Sequence, residues 1–185
     1  ANNLRYRVDT WDPDGTIRYT EKNDQGQVTQ MTTREQRPSL AGIRLGDNRE
    51  AVKAVLGTGY QEYFSEETGH FPEQVYRWDY PGELRIYIGK DSGQVLEINA
   101  TALGSATNLG AKVGETAATV LTLYREAGYR EPVSTHGDNL PGVFRVEGGA
   151  AMFFVFADRT GPAIKPEAKV ERIILTYPEI MDDSF

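Results

Sequence analysis

The chain contains an internal repeat, which limits its possible folds more than any other feature. The segment WDPDGTIRYTEKNDQGQVTQM (residues 11–31) aligns without gaps with WDYPGELRIYIGKDSGQVLEI (residues 78–98), at a shift of 67 residues. Both segments keep a Trp-Asp pair, two glycines and an Asp-x-Gly-Gln-Val sequence. The same shift carries Ile86 onto Phe153, which marks a third copy. Because internal repeats determine architecture, we predict several copies of one structural unit.

Each copy is predicted to contain antiparallel strands joined by a turn. Leu84, Ile86 and Ile88 alternate with other residues, and this period of two is typical of a half-buried strand. The Asp-x-Gly-Gln sequence predicts the turn, because Asp bonds nearby amides and Gly adopts positive φ. A further strand is predicted before each pair, at YRVD (6–9), YRWD (76–79) and FRVE (144–147).

The strand that follows the turn carries apolar residues three positions apart, as in Val95 and Ile98. Strict alternation would place them two or four apart. The spacing therefore predicts a β-bulge near the start of this strand in each copy, since a bulge adds one residue to the alternation.

A second repeated motif predicts a short helix. GIRLGDNREAVKAVL (42–56) aligns with GAKVGETAATVLTLY (110–124) at a shift of 68 residues, with apolar residues at i, i+3 and i+4 in both. Asp47 followed by Glu50 has the spacing of a capping box, so we expect Asp47 to cap the helix. Gly57 suits the helix C-terminus.

We therefore predict an α+β fold of tandem units, each a short helix followed by a three-stranded antiparallel meander, with the helices packed on one face of the sheet. Residues 38–104 form the first unit, and residues 105–185 form the second unit with a C-terminal tail. Residues 1–37 are expected to add a β-hairpin portion whose strands join the sheet. Long loops at 57–74 and 126–142 connect each helix to its meander, and such loops commonly carry binding residues.

The pattern resembles a known family. Gly-x-x-hydrophobic-Gly-[Asp/Glu]-[Asn/Thr] before a helix, and a meander that closes on Asp-x-Gly-x-Val, is similar to the tandem-repeat fold of the β-lactamase inhibitor protein. It also resembles the small lipoprotein of the outer-membrane β-barrel assembly machinery and uncharacterised secreted lipoproteins of Gram-positive bacteria. The resemblance covers about residues 40–177 and implies protein binding in the cell envelope or outside the cell. The inhibitor has disulfides and this chain has no Cys, so the resemblance implies a fold and a class of function, and no target.

Composition excludes several function classes. The net charge is -7, and no basic stripe is present to neutralise phosphates, so nucleic-acid binding is not expected. The absence of Cys excludes disulfides and thiolate sites. The longest apolar run, AAMFFVFA (150–157), is shorter than the roughly 20 residues of a membrane-spanning helix. The start at ANNLRYRVDT is that of a processed or truncated chain, which favours export and allows a lipid anchor upstream of Ala1.

Motifs of enzymes and metal sites are weak in this sequence. GAKVGET (110–116) has three residues between its glycines and a Glu where a Walker loop has Lys, so we interpret it as a helix cap. DPDG (12–15) lacks the bidentate Glu of a calcium loop and indicates a hairpin turn. No nucleophile elbow is present, and the adjacent acids Glu66 and Glu67 are typical of a solvated loop. We expect no catalytic residue, no metal ligand and no cofactor.

The segment AAMFFVF carries the main binding prediction. In the 67-residue register, Phe153 and Val155 face the helices, so Met152, Phe154 and Phe156 are expected on the opposite sheet face, where they form a protein-binding surface or are covered by another segment. The other candidate binding residues are the aromatic anchors Tyr19, Trp78 and Tyr87 and the loop histidines His70 and His136.

The function favoured by the sequence is a non-catalytic, exported bacterial envelope protein that binds another protein, as an inhibitor-like or assembly module. Two alternatives stay open. The first is a module that binds a small molecule or lipid in a cavity between helices and sheet. The second is a hydrolase of unrecognised type.

Overall fold

The structure is a computed structural model that describes the chain in segments. The described residues are 5–11, 17–22, 25, 27–34, 38–132, 141–157 and 163–181. Within residues 5–11, 17–22 and 28–34, and for residue 181, the backbone alone is described.

Ten strands and four short helical segments are described. In chain order they are β1 Arg5–Trp11, β2 Ile17–Lys22, β3 Val28–Arg34, α1 Arg49–Leu56, β4 Gln61–Ser65, β5 Val75–Tyr80, β6 Leu84–Gly89, β7 Val95–Ala100, α2 Ala117–Glu126, β8 Val143–Val146, a 3-10 helix Glu147–Gly149, β9 Ala150–Phe156, β10 Val170–Thr176 and α3 Pro178–Met181. The main sheet has seven antiparallel strands in the order β4-β5-β6-β7-β10-β9-β8. The prediction of an α+β fold with an antiparallel sheet is confirmed.

The N-terminal strands form a sheet of their own. β1, β2 and β3 pair with one another in that order, as an antiparallel meander. The expectation that they join the main sheet is therefore wrong. Each strand finds its ladder partners within the meander, and the edge of the main sheet beside β5 is occupied by β4, which comes from the long loop at 57–74.

The predicted bulge is present in β7 and β10. Tyr87 and Ile88 pair with Glu97 and Val95, so Leu96 is the extra residue on β7. The same arrangement occurs on β10, where Glu171 lies between the paired residues Val170 and Arg172. In β3 the irregularity lies between Met31 and Arg34, at the opposite end of the strand from the predicted position.

The helix α1 begins one residue later than the capping prediction required. Asn48 is the N-cap, and its Oδ1 accepts a hydrogen bond from the Ala51 amide at 2.8 Å. The carboxylate of Asp47 instead accepts from the Arg44 amide at 3.0 Å and closes the turn before the helix. Asp47 is therefore not the cap, because its side chain is already used in that turn. Gly57 ends the helix as predicted, with φ 81°.

The helices α1 and α2 share one buried cluster with the main sheet. Val52 of α1, with Val120 and Tyr124 of α2, belongs to the same cluster as alternate residues of β5, β6, β9 and β10. Every second side chain of these strands faces the cluster, because successive strand residues point to opposite faces of the sheet. Burial of this apolar face stabilises the fold.

The predicted orientation of β9 is wrong. Met152, Phe154 and Phe156 are buried in the shared cluster, whereas Val155 is 37% exposed. Ile88 pairs with Val95 at the bulge of β7, and Phe156 pairs with Val170 at the bulge of β10. Phe156 is therefore the equivalent of Ile88, and the two are 68 residues apart, not the 67 of the sequence alignment. Successive strand residues point to opposite faces, so an error of one residue inverts every side chain of the strand.

Candidate functional site

The structure removes several residues from the predicted binding surface. Trp78, Met152, Phe154 and Phe156 are buried. Tyr87 is half-buried and stacks on Phe71, with ring centroids 5.3 Å apart. His70 lies in the exposed loop between β4 and β5. His136 and the side chain of Tyr19 lie outside what the structure describes.

The strand β4 is an exposed edge of the main sheet. It pairs on one side with β5, and all five of its residues are exposed. Tyr63 and Phe64 are 46% and 45% exposed, although both are large apolar side chains. An edge strand presents unpaired N–H and C=O groups that can pair with another chain. Among the described residues, β5 alone pairs with β4, so this strand combines unpaired backbone groups with two exposed aromatic rings.

Aromatic rings on and next to β4 and β5 occupy both faces of the sheet at this edge, with cations beside them. We call this cluster the aromatic corner. Its rings are Tyr60, Tyr63, Phe64, Tyr76, Trp78 and Tyr80, and its cations are Arg49, Lys53, Arg77 and Lys90.

Stacking and cation–π contacts hold the aromatic corner in place. Tyr60 stacks on the buried Trp78 with centroids 3.9 Å apart and an angle of 10° between the rings. The guanidinium of Arg77 lies 4.5 Å from the Tyr63 ring, and the Lys90 ammonium lies 5.3 Å from the Phe64 ring. Cations over ring faces are attracted by the ring quadrupole. Each of the two exposed rings, Tyr63 and Phe64, thus has a cation over its face.

Polar contacts anchor the corner to the rest of the sheet. Glu62 Oε1 accepts a hydrogen bond from the Trp78 indole at 3.0 Å, and the Tyr80 hydroxyl donates to the Gly57 carbonyl at 2.8 Å. Burial, together with the neighbouring Tyr60, raises the pKa of Tyr80 to about 12. The Tyr80 phenol therefore stays protonated at neutral pH and keeps its bond to the end of α1.

The loop after β4 is attached to the turn between β6 and β7. A carboxylate oxygen of Glu73 accepts hydrogen bonds from the Asp91 amide at 2.8 Å and the Ser92 amide at 3.0 Å. Burial opposes the charge of Glu73, but the Ser92 and Asp91 hydrogen bonds and Arg49 outweigh it and lower its pKa below the ordinary value. A Cβ at Gly89 would collide with this carboxylate, so glycine is required there for the contact.

The face of the main sheet that points away from α1 and α2 contains a buried carboxyl group, which the sequence analysis did not predict. Glu97 of β7 is 7% exposed, and Tyr87 is its cross-strand neighbour. Burial raises the pKa of Glu97 to about 7, against the lowering effects of the Thr176 hydroxyl and Arg172. Leu96, Val75 and Ile180 form a small apolar cluster on this face. The sequence indicated only that this part of β7 departs from strict alternation, through the bulge predicted next to Glu97.

Two depressions are described on the surface of the chain. The larger depression, about 530 Å³, is open and is lined by Arg125, Tyr129, Arg130, Glu131 and Pro141. A smaller one, about 30 Å³, lies beside Glu147 and Tyr177. Within the described segments, no group of three or more His, Cys, Asp or Glu residues is arranged to hold a metal ion.

Of the aromatic corner, Trp78 and the loop at 57–74 were named as candidates from the sequence, but Tyr63, Phe64 and an edge strand were not. Residues 57–74 were interpreted as one long loop, and the structure shows a strand within it. The run YQEYFS has the aromatic enrichment typical of strands and was the signal that could have indicated β4.

No family model, curated protein or solved structure was found to match this chain. In the described part of the chain, no helix is long and apolar enough to cross a membrane.

Proposed function

We propose that this chain is a non-catalytic protein-binding module that captures an extended segment of its partner along β4. The observation that carries the proposal is an exposed edge strand with two half-exposed aromatic rings, each with a cation over its face. In strand addition, main-chain hydrogen bonds supply affinity and alternate side chains supply specificity. Tyr, Trp and Arg are the side chains most often found at binding hot spots.

The tandem arrangement of two helix-and-meander units is part of this proposal, as is an exported location in the cell envelope. The sheet order supports the units, because β5-β6-β7 and β8-β9-β10 meet at the central pair β7 and β10. The equivalent positions of the bulges in β7 and β10 support them further. The location is supported by the resemblance to the β-lactamase inhibitor protein family.

The proposal is tested with a double variant, Tyr63→Ser with Phe64→Ser. The matched control is Leu103→Ser, which removes a side chain that is 85% exposed and far from β4 in sequence. Proteins from a cell-envelope extract that bind the wild type and the control, and not the double variant, are identified by mass spectrometry. One of them is then purified for hydrogen exchange.

The expected result is that the purified partner slows amide exchange at residues 61–65. The double variant should lose that protection while keeping its thermal unfolding temperature, since both side chains are half-exposed. Partner binding that protects other strands and leaves β4 unchanged contradicts the proposal.

A further inference from the structure

The side chains on β4 define what a strand added to this edge would meet, so this inference rests on the proposed function. Glu62 pairs with Trp78 and Phe64 pairs with Tyr76, so Glu62 and Phe64 lie on one face of the sheet. Tyr63 lies on the other face, beside Arg77. Residues two apart on a strand are about 6.6 Å apart. An added strand therefore faces an acid and an aromatic ring at that spacing.

The free charge at this edge is negative. One carboxylate oxygen of Glu62 accepts a hydrogen bond from the Trp78 indole. The hydrogen bonds of Glu66 and Glu67 use their backbone carbonyls, and among the described residues neither of these exposed carboxylates has a partner.

Three of the four cations of the aromatic corner have an acid beside them: Arg77 bonds Asp79 at 2.9 Å, Lys53 lies 3.4 Å from Glu50, and Arg49 interacts electrostatically with Glu73. Lys90 lies over the neutral ring of Phe64 and keeps its charge, but the three acids named above outnumber it.

We infer that the partner segment is an extended chain in which a basic residue and an apolar residue lie two positions apart on the same face. The basic residue contacts Glu62, and the apolar residue packs on Phe64. Further basic residues face Glu66 and Glu67, which follow directly after β4. A second copy of this chain is disfavoured as the occupant, since each copy carries a net charge of -7 and the same acids at the edge.

The test uses two synthetic peptides with blocked ends. One is the octapeptide TKTFTKTV, and the other replaces both lysines by glutamate. Each is titrated to millimolar concentration into the ¹⁵N-labelled full chain at low salt, and amide shifts are followed by NMR. Glu62→Gln is the key variant, because its amide oxygen still accepts from Trp78 while the charge is lost. Glu171→Gln is the matched control, since Glu171 is an exposed acid on β10, four strands from β4.

The lysine peptide should shift the amides of residues 61–65 and bind at least about tenfold more tightly than the glutamate peptide, with two charge pairs changed. Glu62→Gln should weaken the lysine peptide by up to about fivefold, and Glu171→Gln should leave it unchanged. Equal binding of both peptides at β4 overturns the inference that the partner segment is basic and leaves the proposal of binding along β4 in place. Shifts that avoid β4, or no shifts with either peptide, overturn both.

Discussion

The ring of Phe154 lies against those of Tyr124 and Phe144, with centroids 5.0 Å and 6.1 Å away, and it is 4% exposed. Truncation here leaves a cavity that rigid neighbours fill incompletely. We expect Phe154→Ala to lower the free energy of unfolding by about 3–5 kcal/mol. Phe154→Asp should prevent folding, because it buries an unpaired charge. Urea denaturation measured by circular dichroism checks both variants.

The neighbouring residue supplies the control for this measurement. Val155 lies on the same strand, points to the opposite face and is 37% exposed. Val155→Thr should change the unfolding free energy by less than about 0.5 kcal/mol. If Phe154→Asp folds normally and Val155→Thr does not, Phe154 is not the inward-facing residue of β9.

At the scale of the element, the caps decide where the helices begin. The Asn48 side chain bonds the Ala51 amide, and Thr116 bonds the Thr119 amide at 3.3 Å at the start of α2. We expect Asn48→Ala to cost about 1 kcal/mol of stability, because it leaves an amide of the first turn unpaired. Chemical denaturation checks this value.

Asn48→Ser tests whether capping is the cause, since Ser is as good a cap as Asn and should keep wild-type stability within a few tenths of a kcal/mol. A loss in the Ser variant as large as in the Ala variant means that Asn48 acts through another contact.

At the scale of the whole molecule, the buried Glu97 links stability to pH. Its pKa is about 7 in the folded chain and near the ordinary 4.5 in the unfolded chain. Between these values the folded state holds a proton that the unfolded state releases, so this group lowers stability as pH rises from about 4.5 to 7. The loss amounts to about 3 kcal/mol when complete.

Glu97→Gln removes this dependence, since the amide stays neutral. We expect the variant to gain stability relative to the wild type between pH 5 and pH 8, by up to about 3 kcal/mol. Thermal or urea unfolding at both pH values measures the difference. A difference between the two proteins that does not change with pH contradicts the assignment of Glu97 as the titrating group.

Features that depend on neighbouring residues were predictable from the sequence, and features that depend on distant ones were not. The bulges in β7 and β10 followed from an apolar spacing of three, and the end of α1 at Gly57 followed from a single residue type. The burial of Glu97 had no comparable signal, because it depends on the pairing of β7 with β10, where Thr176 from a distant part of the chain lies opposite Glu97. The strand β4 carries a local signal in its aromatic run, but that run is short and lies inside a polar loop.

Periodicity and turn chemistry act between neighbouring residues, so the sequence by itself was sufficient to identify most of the described strands, the turn between β6 and β7 and both longer helices. The turn predicted at 12–15 lies outside the described residues. The face of β9 required the tertiary structure, because a shift of one residue inverts a strand and only the pairing at the bulges distinguishes 67 from 68. The position of β4 at the sheet edge required it as well. An edge is a property of strand order, which depends on pairing between distant segments and is not encoded in any single stretch of residues.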